Sequence, residues 1–372
     1  MFPSLTPTIA PVPFRSFLSV FGSQASEFLH GILATSVQEP RRPAFSTVLN
    51  AQGRVLYDVF LHTQKDEKGK PGYIIEYDSR ASEAPPLYDL LKRYVLRSKV
   101  KIRDVSQEYD AWAAWGSPEH SHWETQRKWH WEHSGAMEPI WPAESEWPWG
   151  LEDGIIRDRR APGMGSRILV RKGDRPKESL SHDIQTSDAY TLLRILKGVP
   201  EGLVDIPPLH AFPMDSNLDI MGGLDFRKGC YVGQELTVRT YHTGVIRKRV
   251  LPVVIREHQM YVFKLLVRIM FVFSACHRSS PVAQSLPSGL DIRPITRKES
   301  QNKSPHPRGS SKLLTSLHGH GLVLFRLEHL KNGNLTEEEP QQFALQTDGS
   351  ATWIVEPQWP QWWDWCRRSG VL

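Results

Sequence analysis

Lys228-Gly229-Cys230-Tyr231-Val232-Gly233-Gln234-Glu235 gathers an amine, a thiol, a phenol, an amide and a carboxylate into eight residues, with two glycines among them. Cys230 follows Arg227 and Lys228, and the segment reads as a turn entering a short helix. Nearby cations and a helix N-terminus both favour thiolate over thiol, so Cys230 is the candidate reactive group. The plainer reading makes it a small buried apolar residue. Gln234 and Glu235 suit orienting a polar heterocycle, Tyr231 stacking on one, and Arg239 and His242 extend the polar face as far as Gly244.

Nothing in the chain places a base beside Cys230, so neither Ser-His-Asp nor Cys-His-Asn catalysis can be argued. GxGxxG and P-loop patterns are absent, against the usual dinucleotide and nucleoside triphosphate enzymes. The other cysteines, Cys276 and Cys366, form no CxxC pair and have no metal-ligand spacing. That argues against a disulfide framework and a closed zinc site and fits a reducing compartment better. An iron-sulfur cluster takes four ligands, so Cys230 could supply one ligand to a cluster shared with a partner, or act as a redox thiol.

The elements that must position this stretch alternate between strand and helix. Phe14 to Val20 reads as a strand and Ser23 to Leu33 as a helix with Ser23 as N-cap. Ala44 to Leu49 and Val55 to His62 flank Asn50-Ala51-Gln52-Gly53 as a hairpin. Tyr73 to Tyr77 is a strand. Pro86 to Val95 is a helix with Leu87, Leu90, Leu91 and Tyr94 on one face, and Lys99 to Asp104 a further strand. Residues 110–150 hold eight of the thirteen tryptophans, mixed with acidic residues, and read as a loop-rich segment and not as a base-stacking platform. Ile168 to Arg171 is a strand, and Asp188 to Leu196 a helix with Tyr190, Leu193 and Leu196 inward. A Pro-rich lead with Asp205, Asp215 and Asp219 then delivers the motif, where its carboxylates could line a pocket. Val245 to Ile255 opens a small β-rich unit that includes Gly321 to Glu328 and a terminal strand and turn. The pattern implies an α+β fold: residues 1–13 a disordered lead, 14–244 an N-terminal region, and 245–372 a C-terminal β domain.

A length of 372 residues calls for more than one core. Apolar residues at 40% and charged residues at 23% are those of an ordinary globular protein. The net charge of +5 is small for the length and points to no nucleic-acid partner. The longest apolar run, 260–273, contains two cations and is too short to span a bilayer, so no membrane partner is expected. Met1 to Phe14 carries four prolines and no Lys or Arg, unlike a secretory signal or an Arg-rich transit peptide.

On Lys228 to Glu235, and on the flanks Asn217 to Phe226 and Arg239 to Arg249, the chain resembles the YgfZ/GcvT-related family. Within it, the mitochondrial iron-sulfur cluster assembly factors, also described as transferases of the CCR4-associated factor type, are most similar. Phe28 to Leu33, Asn50 to Asp58, Asp291 to Arg293 and Gly321 to Glu328 extend the likeness. The resemblance implies a folate-binding, GcvT-like (T-protein-like) fold with a C-terminal β-barrel. It implies tetrahydrofolate as ligand, a transient [2Fe-2S] or [4Fe-4S] cluster held with a partner, and A-type iron-sulfur scaffold proteins as partners. It implies a role in maturing [4Fe-4S] proteins of the aconitase and lipoate synthase type in the mitochondrial matrix, for which a presequence is expected that Met1 to Phe14 does not show. Carried over by position, Cys230 is the functional thiol, and Lys228, Gly229, Tyr231, Gly233, Gln234, Glu235 and Arg239 are ligand-binding. The alternative is a tetrahydrofolate-dependent aminomethyl transferase. The family pattern also leaves no place in the barrel for residues 257–284, read here as an insertion or a translated intron.

Overall fold

Charges set into apolar strands give the first half of the chain its character. The computed structural model describes residues 6–37, 39–66, 68–122, 128–141, 147–257, 285–295, 309–331, 342–347 and 352–360. Two compact units divide the chain, Met1–Ile246 and Arg247–Leu372.

In the first unit, β1 (Thr8–Pro11), β2 (Arg15–Phe21), α1 (Ala25–His30), β3 (Ala44–Leu49), β4 (Val55–Lys65) and β5 (Pro71–Asp78) come first. They are followed by α2 (Leu87–Val95), β6 (Lys101–Asp104), β7 (Tyr109–Trp115), β8 (Lys128–Trp131) and β9 (Met137–Ile140). Then come β10 (Ile155–Arg157), β11 (Ser166–Arg171), β12 (Asp183–Ile184), α3 (Ser187–Leu196), α4 (Gly202–Asp205) and α5 (Gln234–Thr243). One sheet has the order β3-β4-β5-β2-β6, a second β10-β11-β7-β1-β12, and β8-β9 form a separate hairpin. The first nine residues of β4 are buried, as expected of a strand covered on both faces. Its hairpin with β3 turns at Asn50, whose Oδ1 accepts the amides of Gln52 and Arg54 at 3.0 and 2.9 Å, while Gly53 takes φ 75°.

Four expectations change. Thr8–Pro11, expected in a disordered lead, is a strand between β7 and β12, because Ile9 and Ala10 are buried there. Helix α1 begins at Ala25 after Gln24, with no side-chain cap, so Ser23 is not its N-cap. Tyr94 and Leu196, in the last turns of their helices, are exposed, while Val95 packs on the core and Ile195 is buried in their place. The tryptophan-rich stretch is more regular than a loop: Trp115 ends β7, and Trp115, Trp129 and Trp149 are buried. Trp129 Nε1 donates to Ile220 O at 3.3 Å, which gives that indole a structural task.

The second unit is a closed barrel in the order β13 (Lys248–Glu257), β16 (His320–Arg326), β15 (Ser311–Leu317), β14 (Asp291–Pro294), β17 (Phe343–Gln346), β18 (Thr352–Pro357), with the short α6 (Leu327–Lys331) after β16. β13 closes the ring, pairing Val250 with Leu324 on one side and Ile255 with Val355 on the other. Its interior is apolar: Leu251, Val253, Ile292, Leu313, Val323, Phe325, Phe343 and Val355 are buried. The segment expected as an insertion lies outside the described residues from 258 to 284; Glu257 before it ends β13, and Leu286 after it docks on Ser316 Oγ at 2.8 Å.

Candidate functional site

The motif lies between Phe226 and the start of α5, in a loop fastened to the rest of the unit by its own polar groups. Lys228 Nζ donates to the carbonyls of His30, Leu33 and Thr35 at 2.6, 2.7 and 3.3 Å. These carbonyls belong to the last residue of α1 and the turn after it, where a cation satisfies unpaired acceptors and the negative end of the helix. Burial pushes the Lys228 pKa down to about 8, opposed by Asp225. Val232 N donates to Gly31 O at 3.2 Å, a second tie to the same turn.

Gly233 is the N-cap of α5, in the left-handed region at φ 81°. A Cβ there would stand 2.2 Å from Asn50 O, so the β3-β4 hairpin and the motif meet backbone to backbone. Gln234 turns its Oε1 back to accept Tyr231 N at 3.1 Å. The Tyr231 ring is buried, with Lys228 Nζ 4.8 Å from its centre, and its hydroxyl is buried without a hydrogen-bond partner. Burial, then Asp225 and Glu235, push that phenol upward. Thr237 Oγ1, on α5, is likewise buried and unpartnered.

Cys230 itself is exposed and free, so it is not a small buried residue. It stands three residues before the N-cap, in the loop and not on the helix. Lys228 points its charge inward at carbonyls, and Arg227 is exposed with Glu138 at 3.9 Å. A Cβ on Gly229 would meet nothing closer than His30 Nε2 at 3.9 Å, so space does not demand glycine there. His30 Nδ1 accepts Val37 N at 3.2 Å, and burial followed by Lys228 lowers its pKa. The neutral ring therefore carries its proton on Nε2, the nitrogen facing Gly229.

Glu235, Arg239 and His242 are exposed at the i, i+4 and i+7 positions of α5, one polar face as expected. The opposite face holds buried Tyr241, stacked on Phe226 with centroids 4.1 Å apart and hydrogen-bonded to Glu132 and Glu138. The acidic lead departs from expectation. Asp205 is buried against Arg194, and Asp219 is buried and accepts Met137 N at 2.9 Å, so neither faces a pocket.

Sequence reasoning missed a buried ionic lattice in the first unit. Glu201 meets Arg15, Arg160 and Arg167 at 2.6, 2.6 and 2.7 Å and accepts the Tyr190 hydroxyl. Glu76 joins through His62 Nε2 at 2.9 Å and Arg15 at 3.4 Å, and Asp58 through Arg15 at 3.3 Å. Burial pushes the Glu201 carboxyl up, but Arg15, Arg167, Arg160 and Arg194 outweigh it and hold the pKa well below the usual range. The signal was visible as single charges inside apolar runs: Asp58 in β4, Glu76 in β5, Arg167 in β11.

Among the described residues Cys230 is the one cysteine, and no group of three or more His, Cys, Asp and Glu side chains is arranged to hold a metal ion. One thiolate cannot complete the ligand set of a cluster. What the arrangement can do is present a single sulfur, on a loop fixed from behind, to a surface that brings the other ligands.

Comparison with known proteins adds three findings. The family model described as the CAF17 C-terminal beta-barrel domain matches residues 247–365. A Cryptococcus neoformans var. neoformans serotype D (strain JEC21) protein named iron-sulfur cluster assembly factor IBA57 homolog, mitochondrial, is 38% identical, covering 87% of this chain and 84% of its own. A Mycosarcoma maydis protein of the same name is 30% identical, covering 97% and 86%. Among solved structures, glycine cleavage system aminomethyltransferase T from Bartonella henselae aligns with a TM-score of 0.58 over 95% of this chain and 86% of that one, at 12% identity, a likeness of fold alone.

Proposed function

The chain belongs to the family of IBA57 mitochondrial iron-sulfur cluster assembly factors, and from that premise we propose that Cys230 is the thiolate through which it handles a cluster. It is a mitochondrial protein of iron-sulfur cluster assembly with a GcvT-like fold and a CAF17-type C-terminal barrel. The observation that supports the reading of the site is an exposed thiol on a loop that Lys228, Val232 and Gln234 hold from behind.

The cluster is cargo. Cys230 gives one sulfur ligand, and the remaining ligands come from an A-type scaffold protein in the matrix, so that a [2Fe-2S] or [4Fe-4S] cluster is held only while both proteins are together. The recipients are [4Fe-4S] enzymes of the aconitase and lipoate synthase type. In cells lacking the wild-type protein, Cys230→Ala restores none of the aconitase activity that wild type restores; full restoration would refute the role of the thiol.

Tetrahydrofolate is the ligand we assign to the first unit. The donor set fits a heterocycle rich in N–H and carbonyl groups: the Tyr231 and Thr237 hydroxyls are buried beside the motif with no partner of their own. Lys228, Gly229, Gly233 and Gln234 would shape the loop around such a ligand, while Glu235 and Arg239, on the face of α5 opposite Thr237, would meet only a part of it that reaches solvent. When bound, tetrahydrofolate supplies a pair of nitrogens able to carry a one-carbon unit. Calorimetric titration with tetrahydrofolate is expected to give saturable one-to-one binding that Tyr231→Phe weakens; absence of heat and of thermal stabilisation would remove the ligand from the account. Aminomethyl transfer by the purified protein would favour the transferase alternative.

A further inference from the structure

The turn joining α2 to β6 is built unlike the rest of the surface. From Leu87 to Arg103 there are six Lys and Arg against one acid, Asp89, while the whole chain balances 46 basic residues against 41 acidic ones. All six cations are exposed, and Arg93, Arg97, Lys99 and Lys101 form no ion pair with any described residue. Of the acids outside the run, Glu108 pairs with Arg103 at 3.8 Å and Glu27 is hydrogen-bonded by Gln24.

Within this basic run sit two exposed apolar groups. Tyr94 is 37% exposed and Leu96 is 87% exposed. Leu96 takes φ 40° and ψ −105°, a backbone conformation that side chains with a Cβ rarely adopt. Leucine at this position buries almost nothing and strains the chain, so its side chain contributes nothing to the fold.

Tyr94, Leu96, Arg97 and Ser98, with Gln24 from the start of α1, line an open cleft of about 660 Å³. Its wall is already set: Gln24 Oε1 accepts Lys99 N at 2.7 Å, and a Cβ on Gly22 would stand 2.0 Å from Lys99 O, so the two crossing segments are in backbone contact.

We propose that this cleft is a docking site for an acidic amphipathic segment of a partner protein, which seats an apolar side chain between Tyr94 and Leu96 and sets its carboxylates over Arg97 and Lys99. Charge complementarity selects the acidic partner. The fixed crossing of Gln24 and Lys99 gives the site a set shape, which suits one side chain of a structured segment better than the fluid face of a bilayer. The surface is separate from the Cys230 loop in sequence and in its chemistry, and the proposal stands whether or not Cys230 carries a cluster.

The test uses the full-length protein and a fluorescein-labelled acidic peptide with leucine and phenylalanine at helical spacing, read by fluorescence anisotropy. A second peptide has those two residues changed to serine, and vesicles of one part cardiolipin to four of phosphatidylcholine form a third arm. The anchored peptide is expected to bind wild type, more weakly as salt rises. Binding is expected to fall about tenfold or more in the Arg97→Glu, Lys99→Glu double variant and about fivefold in Leu96→Gly. The serine peptide and the vesicles are expected not to bind. Because the altered side chains are exposed, the melting temperature stays unchanged in the double variant and unchanged or higher in Leu96→Gly, which relieves the positive φ. Failure of the anchored peptide to bind, or equal binding by the double variant, would overturn the proposal. Vesicle flotation that Leu96→Gly abolishes would overturn it in favour of an anionic lipid surface.

Discussion

The buried lattice around Glu201 and the loop around Cys230 both depend on charged side chains, and they use them for opposite ends. In the lattice the charges bind one another: Glu201 has three guanidinium groups within 2.7 Å and all of them are buried. In the loop the charge of Lys228 is spent on backbone carbonyls, and the thiol of Cys230, two residues on, faces water. Charge in the first region holds two sheets in place; in the second it fixes the backbone that presents Cys230, for which we propose the cluster-handling role. Damage to the lattice should therefore cost the fold, and damage to the loop should cost activity first.

The largest effect is expected at Glu201. Removing its charge leaves Arg15, Arg160 and Arg167 buried with too few acceptors, and breaking buried pairs in this way costs about 3–5 kcal/mol. Urea unfolding of Glu201→Gln checks this; a loss below about 1 kcal/mol would mean that the lattice is held by its other carboxylates. The pH dependence has a definite sign. The folded pKa of Glu201 lies below its ordinary value of 4.5, so the unfolded chain binds more protons as the medium is acidified. The stabilisation is complete above about pH 4.5 and is lost as pH falls through the folded pKa, and Glu201→Gln flattens that part of the profile.

Next comes Gly233→Ala. A left-handed alanine costs about 1–2 kcal/mol, and its Cβ would displace the Asn50 carbonyl, for a total of about 3 kcal/mol. The loop moves with the hairpin, so activity is expected to fall further than stability alone accounts for. Thermal unfolding beside an aconitase reactivation assay separates the two, and equal proportional losses would argue against a positioning role.

A smaller effect belongs to Lys228→Met. The carbonyls of His30, Leu33 and Thr35 lose a charged donor at a partly solvated site, a cost of about 2 kcal/mol. Hydrogen exchange is expected to quicken at the end of α1 and in the motif while the β13–β18 barrel is unaffected. Quickening in the barrel instead would show that the two units do not unfold separately.

How much of this could be read from residues alone depended on the range of the interactions. The β3-β4 hairpin was legible because Asn50 and Gly53 settle it locally, with a side-chain cap and a positive φ. The motif was legible as a glycine-punctuated turn before a helix, and the face of α5 as a polar stripe. What Lys228 does was not legible, since its acceptors lie about two hundred residues earlier in the chain. The same holds for Asp58, Glu76 and Arg167, each of which shows as a misplaced charge in a strand with no indication of its partner. Tyr94 and Leu196 fit the periodicity of their helices yet face water, because at each helix end an adjacent residue, Val95 or Ile195, takes the inward place. Thr8–Pro11 was obscured by Pro7 before it and Pro11 at its end, which leave Ile9 and Ala10 free to pair.

The most direct test of the central claim is to reconstitute a cluster on the purified protein together with an A-type scaffold protein, comparing wild type with Cys230→Ser. The visible absorption of a cluster that co-elutes with both chains is predicted for wild type and lost in the variant, whose unfolding midpoint stays unchanged because the thiol is exposed. A cluster-bound complex that forms equally well with Cys230→Ser would contradict the account.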